Sequence, residues 1–412
     1  MAQLNVTLNQ EEMLQLLSEN REGAFAELLQ NNLNSILLAE SEAQLHAKPY
    51  ERTEERQDSR NGMREKDLVT RIGKITLNVP RHRNVPFKSM IFDNYTRSEA
   101  SLITTMAEMV VAGVSTRKVS RVMETLCGQS YSKSTVSEVC KDLDKNVEEF
   151  RTRQIAEPYP FVIVDGTYLK VRENHHVISK PLMIAIGISA DGRKTVLGFD
   201  YYENESKETW TDFLQSLKNR GLDNIKVITS DAHEGIIFGV HKVYPNVPWQ
   251  RCHYHFTKNI VEKAPKKYQI GLRSELREMF TKDTLDEATQ RRDEIIKDYS
   301  DVAPDAIKCL DEGFEDSMTV MGLPEGVRKV IRTSNHIERL NGEVKRRSKV
   351  IGIFPNSASV IRLMGSVLME ENEKWGYTRR LFYSKAYNAI KETDYQELIK
   401  IAEKQQKMLK AA

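Results

Sequence analysis

The chain has 412 residues, 40% hydrophobic and 29% charged, with a formal net charge of +2; it can bury the cores of about two to four domains, and its overall charge makes no case for nucleic acid. No apolar run approaches the roughly 18 residues of a membrane span, PLMIAIGI being far too short, and the start MAQLNVTLNQEEML has neither the basic stretch nor the apolar core of a signal peptide. Cys127, Cys140, Cys252 and Cys309 lack framework spacing, which suits free thiols in a reducing compartment such as the cytoplasm.

Residues 9 to 47 read as helix: Leu14, Leu17, Phe25, Leu28, Leu29, Leu33, Ile36, Leu37 and Leu45 recur at three- and four-residue spacing. This arm, residues 1–60 in our division, serves either docking and dimerisation or plain core packing. YERTEERQDSRNGMREK lacks apolar periodicity and reads as a loop. In the region 61–97, DLVTRIGKITLNVPRHR alternates around Gly73 and predicts a short β-hairpin ending at Pro80. Residues 60–83 hold seven Lys or Arg against two acids, and Arg71, Lys74, Arg81, His82 and Arg83 would form a basic ribbon for a DNA backbone or groove. A solvated face has the same composition.

Residues 98–152 contain helical patterns separated by turn signals. Ser115 can cap TRKVSRVMETL, which carries Arg117 and Lys118 and closes at Gly128; Ser132 or Ser134 can cap TVSEVCKDLDKNVEEF. The pair fits a helix-turn-helix whose second helix offers Lys133, Ser134, Thr135 and Ser137 at its start. Paired helices with capping serines also occur in proteins that never touch DNA.

After EPYP the pattern changes to strands: FVIVDGTYLKV, PLMIAIGISADG, KTVLGFDYYE, KVITSD and VPWQRCHYH, with ETWTDFLQSLKNRG and IIFGVHKVY as helices. The order β-β-β-α-β-α-β is that of a ribonuclease-H-like α/β fold, a mixed sheet flanked by helices, in which the first and fourth strands are neighbours. Asp165 follows four unbroken apolar residues, and burying it unpaired would cost several kcal/mol. Asp231 follows 66 residues later at the end of a second apolar run. Glu338 follows a further 107 residues on, in TSNHIERLNGEVKRR, where about 30 would complete the fold. The surplus, residues 258–326, is Lys/Glu-rich and helical and reads as an all-helical insertion between a first catalytic part (153–257) and a last part (327–380), with a helical tail at 381–412.

On the Glu338 helix, Ile337, Leu340, Val344 and Ile351 would pack on the sheet, while Asn341 and Lys345 share the face of Glu338. Residues 339–349 hold five basic side chains against one acid, and Lys345, Arg346, Arg347 and Lys349 would follow DNA phosphates. Three carboxylates from separate elements suit two Mg²⁺ ions about 4 Å apart, with Mn²⁺ as a substitute, because these hard cations prefer oxygen ligands. Asp165, Asp231 and Glu338 are therefore both the metal ligands and the catalytic acids, with Asp165 bridging. Cys252 and His255 lack the second close pair of a closed zinc site. Cys252 reads as core, His255 as an auxiliary group beside the acids, and His233 either likewise or as a helix cap.

In YERTEERQDSRNG, VTRIGKITLNVPR, GVSTRKVSRVMETLCG, VDGTYLKVR, SDAHEG, WQRCHYHF and SNHIERLNGEVKRR, the chain resembles the bacterial Mutator-family transposases encoded by insertion sequences, from about Leu37 to Phe382. The resemblance implies that Asp165, Asp231 and Glu338 are the acid triad and that Cys252 to His255 is the family's Cys-x-x-His signature. It further implies binding of double-stranded DNA at terminal inverted repeats and in the target, a homodimeric synapse, cleavage freeing a 3′-OH, and joining of that hydroxyl to target by a copy-out, paste-in route. A nucleoid-associated protein without membrane contact or small-molecule cofactor is expected. Two other readings use the same scaffold: an idle DNA-binding regulator, which has no need of the triad, and a structure-specific nuclease, which has no need of the N-terminal modules.

Overall fold

In the computed structural model the described residues are 21–51, 56–70, 73–89, 100–127, 131–382 and 384–411. The chain divides into two compact units, Met1–Asp142 and Leu143–Ala412.

In the first unit, helix α1 (Arg21–Leu45) lies on an antiparallel hairpin of β1 (Arg60–Thr70) and β2 (Gly73–His82). Leu37 meets Ile75, Leu77 and Val79 in a small core, while Phe25 stays 54% exposed. The periodic residues Leu14 and Leu17, and Arg71 in the turn, lie outside the described residues. Strand β1 begins at Arg60, inside the stretch expected to be loop. Only one face of a two-stranded ribbon needs apolar side chains, and β1 is held by backbone pairing and by polar cross-strand contacts such as Thr76 Oγ1 to Asp67 Oδ1 at 2.9 Å. The carboxylate of Asp58 accepts the backbone N–H groups of Ser59, Asn84 and Val85, which hold its pKa down to about 2 and pin the strand ends together.

Helices α2 (Ala100–Val111), α3 (Thr116–Cys127) and α4 (Lys133–Val139) share a core of Met106, Val119, Met123, Tyr131 and Val136. Gly128 lies outside the described residues. Ser132 caps α4 by accepting the Thr135 N–H at 3.0 Å. The expected single long helix is broken by a 3₁₀ turn at Cys140–Asp142 before α5 (Leu143–Thr152), which begins the second unit.

The second unit is built on a five-stranded mixed sheet of β3 (Phe161–Glu173), β4 (His176–Ile188), β5 (Lys194–Tyr201), β6 (Val227–Ser230) and β7 (Trp249–Arg251), in the order β5-β4-β3-β6-β7. Pairing is antiparallel from β5 through β3 and parallel from β3 through β7. Helices α6 (Lys207–Asn219) and α7 (Glu234–Val243) cover one face, where Trp210, Phe213, Leu214 and Leu217 pack on Val162, Val164 and Ile228. Full burial of these side chains contributes about 1.5–3 kcal/mol each. The strand expected over VPWQRCHYH covers only Trp249–Arg251; Cys252 is already the N-cap of α8 (His253–Glu262).

Helices α8, α9 (Gln269–Met279), α10 (Leu285–Tyr299) and α11 (Pro304–Ser317) enclose a core of their own that includes Phe256, Leu272, Leu276, Ile295 and Leu310. The chain continues through α12 (Glu325–Ile331), α13 (Asn335–Ile351), α14 (Ser357–Gly376), α15 (Ser384–Glu392) and α16 (Gln396–Ala411). Ile337, Leu340 and Val344 of α13 are buried, but Ile351 is 39% exposed because Gly352, with φ of 76°, turns the chain immediately after it. Phe354 then bridges to Val171 of β3. At the outer strand, the Gln405 amide of α16 accepts the Trp249 N–H at 2.9 Å and donates to its carbonyl at 2.8 Å, satisfying backbone that an edge would leave open. Among the described residues no helix is long and apolar enough to cross a membrane.

Helix α14 crosses α5 and β5 at Gly365, where an added Cβ would lie 2.4 Å from Val147 Cγ1 and 2.9 Å from Phe199. Gly365→Ala should therefore lower the urea midpoint by an amount equivalent to about 1–3 kcal/mol. Gly376→Ala, with open space around the new methyl, should leave it unchanged or slightly raised.

Candidate active site

The parallel register of β3 and β6 pairs Phe161 with Val227, Val162 with Ile228 and Ile163 with Thr229. Continued by two residues, that offset sets Asp165 beside Asp231, so two apolar runs bring two carboxylates level with each other where β6 ends and β3 runs on. Asp165 Oδ1 accepts the N–H of Gly166 at 3.0 Å, and Oδ2 accepts Asn341 Nδ2 at 2.7 Å. Burial foremost, and then the charge of Asp231, push the Asp165 carboxyl up to about 7 against the opposing pull of His255. A carboxyl so placed ionises fully when positive charge is brought to it.

Asp231 Oδ1 accepts the His233 N–H at 3.2 Å, and the His233 ring accepts the N–H of Gly235 at 3.2 Å. Of the two roles open to His233, the structure gives it that of the α7 cap.

Glu338 lies in the first turn of α13, whose entry is tied to the strand ends. Thr229 Oγ1 donates to Ile331 O at 2.9 Å, His253 N to Arg332 O at 2.9 Å, and Cys252 N to Ser230 O at 2.8 Å. Ser334 stands at the N-cap of α13 yet makes no cap bond with its side chain. Its hydroxyl donates instead to Glu338 Oε1 at 2.7 Å and lies 3.1 Å from Cys252 Sγ and 3.4 Å from His255 Nδ1. His255 Nε2 is 3.8 Å from Glu338 Oε1. The His255 ring is pushed up to about 9, first by the Cys252 sulfur beside it and, after the opposing effect of burial, by the charges of Glu338 and Asp165. Burial raises the Cys252 thiol, but hydrogen bonding with His255 and Ser334 outweighs it and the net shift is downward. Ligand atoms of Cys252, His255 and Glu338 lie within 4.8 Å of one another, so the fold adds to the Cys-x-x-His pair a third donor that sequence spacing did not offer. That donor is the carboxylate already engaged by Ser334.

Two residues escaped the sequence reading. Ser334 carried a usable signal, a serine at a helix start four residues before the candidate acid. Glu205 carried none: it lies in the loop after β5, accepts Tyr168 OH at 3.0 Å and Trp210 Nε1 at 3.1 Å, and adds to the negative field at Asp165.

The basic candidates fare differently. Lys345, Arg346 and Lys349 are exposed on α13, with Arg346 paired to Glu343 at 2.6 Å. Arg347 has only 8% of its side chain exposed and lies 3.3 Å from Glu370 of α14, so it braces two helices and offers no face to a phosphate. In the first unit Lys74, Arg81, Arg83, Arg117, Lys118, Lys133, Ser134 and Thr135 are exposed, and Lys74 lies 2.6 Å from Asp67. Arg71 lies outside the described residues.

Residues 1–378 match the model of the family described as "Transposase, Mutator family". The chain is 40% identical, over 93% of its length and 99% of the relative's, to the transposase for insertion sequence element IS256 in transposon Tn4001 of Staphylococcus aureus. It is 38% identical over 87% of its length, and 90% of the relative's, to the transposase for insertion sequence element ISRM5 of Rhizobium meliloti. With the transposase for insertion sequence element IS1081 of Mycobacterium tuberculosis it shares 35% identity over 89% of its length and 90% of the relative's. The chain belongs to the Mutator family of transposases.

Proposed function

We propose that this transposase binds the terminal inverted repeats of an insertion sequence, cleaves one strand to free a 3′-OH and joins that hydroxyl to target DNA, with Asp165, Asp231 and Glu338 as metal ligands and catalytic acids. The observation that carries the reading is the parallel register that sets Asp165, within β3, level with Asp231, just past the end of β6, with α13 held against β3 there by the bond from Asn341 to Asp165. The unit is read as a ribonuclease-H-like core with α8 to α11 as its helical insertion, acting as a homodimer by a copy-out, paste-in route.

The donor set fits Mg²⁺ or Mn²⁺: the three acids offer hard oxygen ligands, and the raised pKa of Asp165 marks a site short of positive charge. When bound, two such ions stabilise the attacking and leaving oxygens of a phosphodiester. The chain's own residues prepare that site. Asn341 fixes the rotamer of Asp165, the His233 N–H orients Asp231, and Ser334 orients Glu338. His255 adds positive charge beside Glu338 and Asp165, where the negative charge of a phosphate would gather.

Incubated in Mg²⁺ with duplexes carrying the element's own ends, the wild type should give end-specific nicks and joined products. Asp165→Asn should bind those ends with nearly unchanged affinity. Losing several kcal/mol of charge stabilisation, it should cleave a thousandfold or more slowly, at about 1.4 kcal/mol per decade. Normal strand transfer by Asp165→Asn would remove Asp165 from the site, and binding without chemistry by the wild type in both Mg²⁺ and Mn²⁺ would favour a regulator.

Ser334→Ala should raise the Mg²⁺ concentration needed for half-maximal cleavage by about 10- to 100-fold, with recovery at high Mn²⁺. An unchanged titration would show that Glu338 needs no such support.

Lys345→Ala with Lys349→Ala should reduce the slope of log affinity against log salt by about 0.9 for each of the two phosphates left without a cation. Arg347→Ala should instead leave the slope unchanged and lower thermal stability, because it removes a buried side chain and its tie between α13 and Glu370 of α14.

A further inference from the structure

Next to His255 and Ser334 in the chain lies a concave site, a cavity of about 540 Å³ walled by α8, by α9 and by the segment before α13. It adjoins the groups around Glu338 through two stretches of backbone: Tyr254 on its wall precedes His255, and Thr333 precedes Ser334. Four of its lining side chains are cationic: Lys258, Arg273, Arg277 and Arg332. The carboxylate that also lines it, Glu262, is 3.8 Å from Lys258. Among the described residues Arg273, Arg277 and Arg332 have no carboxylate partner. Arg273 and Arg277 are exposed one helical turn apart on α9, and Arg332, anchored by donating to Phe280 O at 2.8 Å, lies within the field of Arg277. Three guanidinium groups converging without a neutralising anion repel one another, and a phosphate would relieve that repulsion.

The rest of the lining is three threonines and the aromatic rings of His253, Tyr254 and Phe280. Tyr254 is 57% exposed and stands nearly edge-on to His255, with ring centroids 5.3 Å apart. Phe280 stacks on His253 with centroids 4.0 Å apart, and the His253 ring, held by Ser317 O at 2.6 Å, is kept neutral by burial. Cations beside an open aromatic face are the pairing that single-stranded nucleic acid selects, phosphate on the one and base on the other. A cavity of this volume lies in the range of small-ligand sites, admitting a nucleotide and excluding a duplex.

Resting on the reading of the chain as a strand-cleaving enzyme, we infer that this cavity is a nucleotide pocket for the DNA strand entering the acid cluster: Arg273, Arg277 and Arg332 take a phosphate and Tyr254 stacks an unpaired base. The pocket would hold a nucleotide next to the scissile phosphate out of the duplex and so fix where the strand lies relative to Glu338.

The test uses the full chain, with metal chelated so that nothing is cut, and end duplexes carrying 2-aminopurine at successive positions around the terminus. One position should change in fluorescence on binding as its base leaves the duplex for the Tyr254 ring, and Tyr254→Ala should remove that ring's quenching from the signal and weaken binding about tenfold, while Tyr254→Phe retains both. Arg273→Ala with Arg277→Ala should weaken binding about tenfold and lower the salt slope, by about 0.7 for each single-strand phosphate left without its cation. The proposal is overturned if no position responds to Tyr254→Ala and the double variant keeps both affinity and slope. Wild-type nicking of the same ends in Mg²⁺, measured alongside, separates this failure from failure of the catalytic reading, since nicking with a silent pocket sinks only the pocket. A responding pocket without nicking upholds the pocket and sinks the catalytic assignment.

Discussion

The site depends on the parallel pairing of β3 with β6. Both strands run the same way, and the shared offset sets Asp165, within β3, level with Asp231, just past the end of β6. The apolar runs before them are fully buried, which fixes the register, because a slip of one residue would turn each strand's side chains to the wrong face. The same burial raises the Asp165 carboxyl. Packing that stabilises the sheet thus creates an electrostatic cost at its end, and the surrounding groups offset that cost in part through Asn341, the Gly166 N–H and His255.

Helix α13 ties this end of the sheet to the helical segment before it. Its buried face, Ile337, Leu340 and Val344, supplies the packing, and one turn beyond Glu338 the amide of Asn341 reaches across to Asp165. Ser334 forgoes the cap bond usual for a serine at that position and gives its hydroxyl to Glu338. The unused cap costs the helix about 1 kcal/mol and orients a carboxylate that would otherwise sample several rotamers. Arg347, farther along the helix, is buried between α13 and Glu370, so exposure along this helix does not follow its charge pattern.

That contrast marks what was legible in the sequence. Unbroken apolar runs announced β3 and β6, and Trp210, Phe213, Leu214 and Leu217 announced α6, because burial on a face has a period that residue types reveal. The first part of β1, Arg60 to Lys66, had no such signature: its pairing is made by backbone groups, to which side-chain hydrophobicity is blind. Asp165 and Asp231 stood out as candidates because a charge at the end of an apolar run is costly. Glu205 meets Tyr168 37 residues away in sequence, Ser334 meets Cys252 and His255 79 to 82 residues away as well as the nearby Glu338, and Arg347 is neutralised by a glutamate 23 residues on. Pairings of that kind exist only once the chain is folded.

The first turn of α8 shows how closely the cavity and the groups around Glu338 are coupled. His253, Tyr254 and His255 are consecutive, and successive side chains on a helix point about 100° apart. His253 turns inward to the carbonyl of Ser317, Tyr254 outward to the cationic cavity, and His255 toward Glu338. One rigid turn therefore holds the helical segment, the cavity wall and the acid cluster in fixed relation. It is anchored on one side by Cys252 N to Ser230 O at 2.8 Å and on the other by His253 N to Arg332 O at 2.9 Å. A strand seated against Tyr254 would be located with respect to Glu338 without any movement of the loops around it. Placing the substrate by fixed side chains in this way reduces the entropy that must be lost when the reacting groups meet.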